Sequence, residues 1–318
     1  AWRLHHADEA RESAYWRAEL GDVTSPTGLP FDGVECGADY GENTCVLPDT
    51  LTFRLEQTAQ RNGLTLNTLI QGAWALLLSR YTGDQDVLHG VTMAGRPLDL
   101  ANADSMIGLF INTLPFRIHV PSDEGVAEWL GTLQEKQAVL REFEHTALSA
   151  VRKYTRIPRD MPLFETLFVF ENYPVDAALA AGAGPFAITH ARSIEQTNYP
   201  LTVVAARRDH LSLQVLYDRK RISDASIQRL TGHFHVVLNA FAQDAAQPVG
   251  AVPHMTQSEY EQSVIGWNNT ATPYPREHCV HALFAEQVKR SPDAVAVRFL
   301  GDSVTYAELN ARANQLAR

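Results

Sequence analysis

The chain has 318 residues, 45% of them hydrophobic and 20% charged, an ordinary globular composition long enough for more than one folding unit. Twenty-seven Lys and Arg against 37 Asp and Glu give a formal charge of -10, which argues against nucleic acid as the main partner, because phosphate binding needs a basic face. Cys36, Cys45 and Cys279 show no CxxC spacing, so neither a disulfide framework nor a zinc site follows; with no signal segment and no membrane-length apolar run, a cytoplasmic setting is expected.

The first twenty residues read as a helix carrying Tyr15, Trp16 and Leu20, and residues 21–47, rich in Gly, Pro, Asp and Thr, read as an irregular connection. A helix is expected from about Pro48 to Asn62, stopped by Gly63. A second begins near Thr65, with Leu66, Leu69, Ile70, Ala73, Leu76 and Leu77 making it apolar on most sides. Asp86 to Ala94 reads as a strand ending in a Gly95-Arg96-Pro97 turn. Asn112 to Val120 is another, with Leu114, Phe116, Ile118 and Val120 on one face.

Ser122 is the expected cap of a helix carrying Val126, Trp129, Leu130, Leu133, Leu140 and Phe143. Thr166 to Phe170 is a short strand, and Leu201–Ala205 with Leu211–Leu216 reads as a hairpin around a polar turn. Ser223 caps a further helix, with Ile222 placed to staple onto Ile227 and an apolar stripe running to Phe241. Residues 243–253, rich in Ala, Gln and Pro, read as a linker. Beyond it come a helix at His281–Val288, a strand at Ala294–Phe299 and a Thr305–Glu308 capping box that opens a final helix. Fewer than about 60 residues bury too little surface to be stable alone, so this last unit reads as the start of a larger domain.

Several segments resemble the condensation domains of nonribosomal peptide synthetases. Val91-Thr92-Met93-Ala94-Gly95-Arg96-Pro97, followed by Met106-Ile107-Gly108-Leu109-Phe110-Ile111-Asn112-Thr113-Leu114-Pro115, is similar to that family's fifth core motif and its approach, and is the most specific match. Glu144-His145-Thr146-Ala147-Leu148 stands where the family has its sixth motif but departs from the usual HQDYPFE-like form. Arg159-Asp160, Pro162-Leu163-Phe164 and Phe168-Val169-Phe170-Glu171-Asn172-Tyr173-Pro174 resemble the seventh motif and the strand after it. Asn198-Tyr199-Pro200-Leu201 and Tyr217-Asp218 resemble the hairpin that follows. Trp267-Asn268-Asn269-Thr270, Tyr274-Pro275, Leu283-Phe284 and Gln287 resemble the junction into an adenylation domain, and Val304-Thr305-Tyr306-Ala307-Glu308-Leu309 its first motif.

The resemblance implies an α/β fold of α+β two-layer type, one chloramphenicol-acetyltransferase-like lobe of a condensation domain plus a truncated α/β adenylation start. The domains expected are an inter-lobe helix and irregular connection over 1–47, the C-terminal lobe over 48–243, a linker over 244–266 and the adenylation start over 267–318. The family's HHxxxDG motif lies in the N-terminal lobe, and the chain looks like it begins after that lobe, with Trp2 and Tyr15-Trp16 resembling the helix leading out of it. No catalytic residue is therefore assigned. The expected tunnel and loop lining is Gly95, Arg96, Asn112, Asn198 and Tyr199; motif positions are Gly108, Phe110, Thr113, Pro115, His145, Arg159, Asp160 and Asn172. For Arg96 and Asn112 a purely structural role, tying down a loop and capping a strand end, stays open beside this one.

The resemblance further implies donor and acceptor peptidyl carrier proteins as partners, bringing phosphopantetheine arms, together with the missing condensation lobe and the rest of the adenylation domain. No cofactor or metal is expected on this chain, and ATP and Mg belong to the missing adenylation part; neither nucleic acid nor membrane is expected. The implied parent is an amide-forming enzyme, and the chain alone is expected to be inactive. An epimerisation domain of the same fold and a non-catalytic carrier-docking platform are the alternatives.

Three features imitate catalytic sites. His5-His6 lacks the Asp and Gly of HHxxxDG, since Ala10 and Arg11 stand there. His145 is of the residue type most often used as a general base, but the sequence supplies no partner for it. Gly301-Asp302-Ser303 imitates a hydrolase block, but reads as a turn between a strand and a helix.

Overall fold

The computed structural model describes residues 8–30, 40–96, 100, 102, 105–171, 196–273 and 276–318. They form two compact units that divide between Glu259 and Tyr260. Trp2, His5, His6, Cys36, Pro97, Asn172, Tyr173, Pro174, His190, Tyr274 and Pro275 lie outside the described residues.

The larger unit is built on a six-stranded mixed sheet. Its strands are β1 (Tyr40–Val46), β2 (Asp86–Met93), β3 (Asn112–His119), β4 (Thr166–Glu171), β5 (Leu201–Arg207) and β6 (Leu211–Asp218), in the order β1-β6-β5-β4-β2-β3. The β2–β4 and β4–β5 pairs are parallel and the rest antiparallel. Helices α1 (Glu9–Leu20), α2 (Asp49–Arg61), α3 (Leu66–Thr82), α4 (Val126–Arg141), the one-turn α5 (Leu148–Val151) and α6 (Asp224–Gln243) complete it. Helices α2, α3, α4 and α6 pack among themselves, with α3 against β2 and α6 against β1. This is the two-layer α/β arrangement expected.

Helix α3 is the centre of the core. Thr65 caps it by accepting the Thr68 N–H at 3.1 Å, and Gly83 ends it in the left-handed region at φ 78°. Every residue from Thr68 to Leu78 is buried, and the Trp74 ring stacks on Phe234 of α6 at 6.2 Å. Ser223 caps α6 by accepting from Ser226 N–H, as its sequence predicts, and Ile222 and Ile227 are both buried.

A polar anchor also lies in this core. The Tyr81 hydroxyl stands 2.6 Å from His233 Nδ1, and His233 Nε2 stands 2.8 Å from Glu259 Oε2. Glu259 also accepts from the Thr256 N–H and hydroxyl. Burial would raise the Glu259 carboxyl, but the Thr256 and His233 bonds together hold it below the usual range.

Four expectations need correction. Residues 21–47 are not all irregular: Tyr40–Val46 forms β1, an edge strand paired with β6 through its whole length. Its alternation is mostly polar, because only one side of an edge strand meets the core. Ser122 does not cap α4; Gly125 stands at that position, and the free Val126 and Ala127 N–H groups donate to Gln247 and Ala245 carbonyls at 3.0 and 2.8 Å.

That pairing also changes the stretch read as linker. Gly125 bridges Pro248, and Val249 and Val252 are buried, so residues 245–252 cap and cover the lobe. Finally, Asp302 and Ser303 are not a turn but the start of a strand.

The smaller unit holds α8 (Val280–Arg290), β7 (Val295–Phe299), β8 (Asp302–Thr305) and α9 (Tyr306–Leu316), after a short α7 (Gln257–Tyr260) at the boundary. Leu300 and Gly301, both at positive φ, form a two-residue hairpin turn joining β7 to β8. The Thr305–Glu308 capping box is present as its sequence predicts. No residue in these four elements is buried, and Val280, Val295, Val297, Phe299, Leu300 and Leu316 are exposed.

Candidate functional site

The strand β2 ends at Met93, and the chain then turns at Gly95 with φ 64°. A Cβ on Gly95 would lie 1.9 Å from the Phe110 carbonyl oxygen, so both the angle and the close approach require glycine here. Arg96 lies over the Phe110 ring, 4.5 Å from its centre, and donates to the Met106 carbonyl at 3.3 Å. Two separate backbone segments are thereby clasped by one glycine and one guanidinium.

Asn112, first residue of β3, fixes the other side. Its Nδ2 donates to the Glu144 and Thr146 carbonyls, both at 2.8 Å, while its Oδ1 accepts the Thr113 N–H at 3.0 Å. The side chain thus ties the segment after α4 to the edge strand. Glu144 closes the circuit, because its carboxyl accepts the Gly95 N–H. Burial pushes that carboxyl up, against the pull of His145, Arg141 and the Gly95 N–H. His145 Nε2 lies 3.6 Å from Glu144 Oε1, half-buried beside it.

The structure therefore brings Gly95, Arg96, Phe110, Asn112 and Thr113 together with the Glu144-His145 segment. Gly108 is exposed on the approach to Phe110. Pro115 is buried in β3 opposite Gly90 of β2, and an edge strand is where proline is tolerated. Tyr199 stacks on Phe164 at 5.0 Å, and that Phe164 ring lies over Gly90, where an added Cβ would come within 2.2 Å. Asn198 is exposed beside it, and Arg159 and Asp160 are exposed on the turn that Arg152 holds through the Pro158 and Met161 carbonyls. Ser303 is exposed in β8, paired with Arg298.

Behind the loop lies a cavity of about 530 Å³, of the size that holds a small ligand. Strands β2 and β4 supply Val91, Met93, Phe168 and Phe170, β3 supplies Phe116, and α3 and α4 supply Asn67, Gln71, Gln137 and Leu140. Glu144, Arg141 and Arg207 also line it, so the cavity adjoins the clasp around Gly95.

One wall rests on a buried polar chain that the sequence does not announce. Gln137 Nε2 donates to Gln71 Oε1, and Gln71 Nε2 lies 3.0 Å from His89 Nε2. An amide nitrogen can only donate, so His89 Nε2 accepts and the ring carries its proton on Nδ1. His89 is fully buried, which pushes it down to about 3 and keeps it neutral. Its Nδ1 and the Asn67 Oδ1 are buried with no hydrogen-bond partner. Among the described residues no cluster of three His, Cys, Asp or Glu side chains could hold a metal, and no helix is long and apolar enough to cross a membrane.

Comparison with known proteins agrees with this architecture. The condensation-domain family model matches residues 2–264. A linear gramicidin synthase of Brevibacillus parabrevis is 40% identical over 319 residues, covering 99% of this chain, which spans 6% of that relative's length. Among solved structures, a four-domain nonribosomal peptide synthetase bound to AMP and glycine superposes with a TM-score of 0.72 at 16% identity, over 98% of this chain and 25% of its own. The first condensation domain of the calcium-dependent antibiotic synthetase gives 0.64 at 23% identity, over 79% of this chain and 56% of its own. These two likenesses concern the fold; the family model, covering most of the sequence, carries the assignment. The chain belongs to the condensation-domain family of nonribosomal peptide synthetases.

Proposed function

We propose that this chain forms the C-terminal lobe of a condensation domain that makes an amide bond, and that residues 267–318 open an adenylation domain. In the reaction, the amine of an acceptor aminoacyl thioester attacks the carbonyl of a donor acyl or peptidyl thioester. The C–N bond forms, the C–S bond breaks, the donor arm leaves as its thiol and the amine gives up a proton. Both thioesters arrive on phosphopantetheine arms of carrier proteins. Holding two such reactants in line supplies most of what the step needs, since well-oriented reactants gain large effective molarity.

The observation that carries this reading is the clasp of Gly95, Arg96, Phe110 and Asn112 on Glu144, formed by the residues of the most specific motif. The HHxxxDG motif occurs nowhere in the 318 residues, so the chemistry is assigned to a partner lobe and this chain supplies a tunnel wall and loop. The exposed apolar side chains of the smaller unit support its continuation into a larger adenylation core, where ATP and Mg would act.

A condensation assay with loaded donor and acceptor carriers, read by mass spectrometry, tests this. Product is expected from a polypeptide extended upstream through the partner lobe, and none from the 318 residues alone. Product from the chain alone, or from neither, overturns the reading. In the extended polypeptide, Asn112→Ala is expected to slow condensation at least about tenfold and Arg96→Ala several-fold. Unchanged condensation rates for both would remove them from the site.

A further inference from the structure

We infer that the cavity between α3, α4 and the ends of β2 and β4 selects an apolar group ending in a carboxylate, which Arg141 pairs at the cavity edge. This deepens the condensation reading and rests on it for the source of that group, the non-reacting end of an acyl or aminoacyl thioester.

The apolar part follows from the walls. Val91, Met93, Phe116, Leu140, Phe168 and Phe170 give the cavity an aliphatic and aromatic surface. The glutamines on the same walls are buried and already bonded. Gln137 Nε2 donates to Gln71 Oε1, Gln71 Nε2 donates to His89, and Gln137 Oε1 accepts from the Thr68 hydroxyl at 2.9 Å. The Asn67 Oδ1 is closed off from the surface. A neutral polar head therefore gains no hydrogen bond from these atoms.

The head follows from charge. The guanidiniums of Arg141 and Arg207 and the carboxyl of Glu144 line the cavity, a local excess of positive charge in a chain of formal charge -10. Arg207 is engaged, because its Nε donates to Glu56 at 2.7 Å and its Nη1 to the Arg208 and Asp209 carbonyls. Glu144 accepts the Gly95 N–H, and burial opposes its ionisation, so a cationic head finds little to pair with. Arg141 stands in the last turn of α4 and acts on Glu144 only through space. It makes no side-chain hydrogen bond or ion pair among the described residues, which leaves its N–H fork open to an anion. A carboxylate matches that fork with two parallel bonds and a single charge. Beside an apolar wall such a pair is stronger than in open water, because the local dielectric is lower.

Ligand-observed NMR on the 318-residue chain at neutral pH tests the inference with four probes: 3-phenylpropanoate, 3-phenylpropanamide, 3-phenylpropylamine and acetate. The first three share one apolar body under different heads, and acetate carries the head without the body. Phenylpropanoate is expected to bind at least about tenfold more tightly than each of the others. Arg141→Gln, at an exposed position, should bring phenylpropanoate to the level of the amide and leave the amide unchanged. Arg141→Lys, which keeps the charge without the fork, should fall between the two. Equal binding of the three aromatic probes, an amide or amine that binds best, or acetate that matches phenylpropanoate overturns the inference. So does the lack of measurable binding by any probe, or a carboxylate preference that survives Arg141→Gln. No carrier protein or condensation step enters this measurement. Carboxylate-selective binding with no condensed product from the extended polypeptide would therefore leave the pocket standing and remove the function, and the reverse pair of results would do the opposite.

Discussion

Lowering the pH from about 7 to about 5 should destabilise the larger unit by about 2 kcal/mol through His89 alone. The folded unit holds this ring neutral, with burial pushing it from 6.5 down to about 3. The sign follows directly. Above the unfolded value of 6.5 neither state is protonated at His89, and its neutral burial is fully compatible with the fold. As the pH falls below that value the unfolded chain takes up a proton that the folded chain refuses until about 3, so stability drops through this window. Each pH unit is worth about 1.4 kcal/mol, and about one and a half units separate the unfolded value from pH 5.

Other groups leave this window readable. Asp22, Asp224 and Glu259 are held below their usual ranges, so their contributions are lost only at more acid pH. Glu144, raised by burial, acts with the opposite sign and favours the fold as it takes up its proton. His254 is lowered by burial and by His233 and Arg80, and adds a smaller loss in the same direction as His89. Urea unfolding followed by tryptophan fluorescence separates these. Trp16, Trp74 and Trp129 are buried in the larger unit, while Trp267 is 68% exposed, so the change reports that unit. His89→Gln retains an acceptor for Gln71 and does not titrate. The stability curves of the two proteins should therefore converge by about 2 kcal/mol between neutral pH and pH 5. Parallel curves would mean that His89 is not held neutral.

This chain of groups also shows where sequence reading stops. Helices α3 and α6 are legible because their caps and apolar spacing agree with one another over four or more turns, and agreement across levels is what makes an element readable. His89 sits in the apolar run Val87-Leu88-His89-Gly90-Val91, where strand periodicity says nothing of a partner. Its partner Gln71 comes from α3, and the amide that orients Gln71 comes from α4, so only the packed fold unites them. Likewise β1 carries Glu42, Asn43 and Thr44 between loop-forming residues, and its strand character comes from the β6 backbone rather than from its own pattern.

The site divides in the same way. Gly95, Arg96 and Asn112 are legible from motif resemblance, and the structure places them in one clasp. Glu144, which joins them to the cavity, is hidden beside the more conspicuous His145. Tyr199 and Asn198 are legible as motif residues, yet Tyr199 packs on Phe164 under β2. Resemblance identifies residues, and it does not say which of them meet.

Gly95→Ala should produce the largest functional loss of any single methyl added to this chain. The added carbon would sit 1.9 Å from the Phe110 carbonyl oxygen, against backbone rather than the movable end of a side chain. The left-handed φ of 64° adds about 1–2 kcal/mol for a residue with a Cβ. The loop must therefore move, and with it go the N–H that Glu144 accepts and the stacking of Arg96 on Phe110. A displacement of about 1 Å at a positioning loop lowers rate by about a hundredfold, so condensation in the extended polypeptide should fall by that order. Gly95→Asn separates the two causes, because asparagine tolerates the left-handed angle but keeps the Cβ. Activity restored by asparagine would assign the effect to the angle, whereas continued loss assigns it to the contact with Phe110. Gly131→Ala is the matched control, a methyl added in mid-helix α4 with nothing within 4 Å. It should leave condensation unchanged and raise stability by about 0.5–1 kcal/mol. Wild-type rates from both Gly95→Ala and Gly131→Ala would mean that the clasp around Gly95 does not position the reaction, and the assignment of this loop to the site would fall.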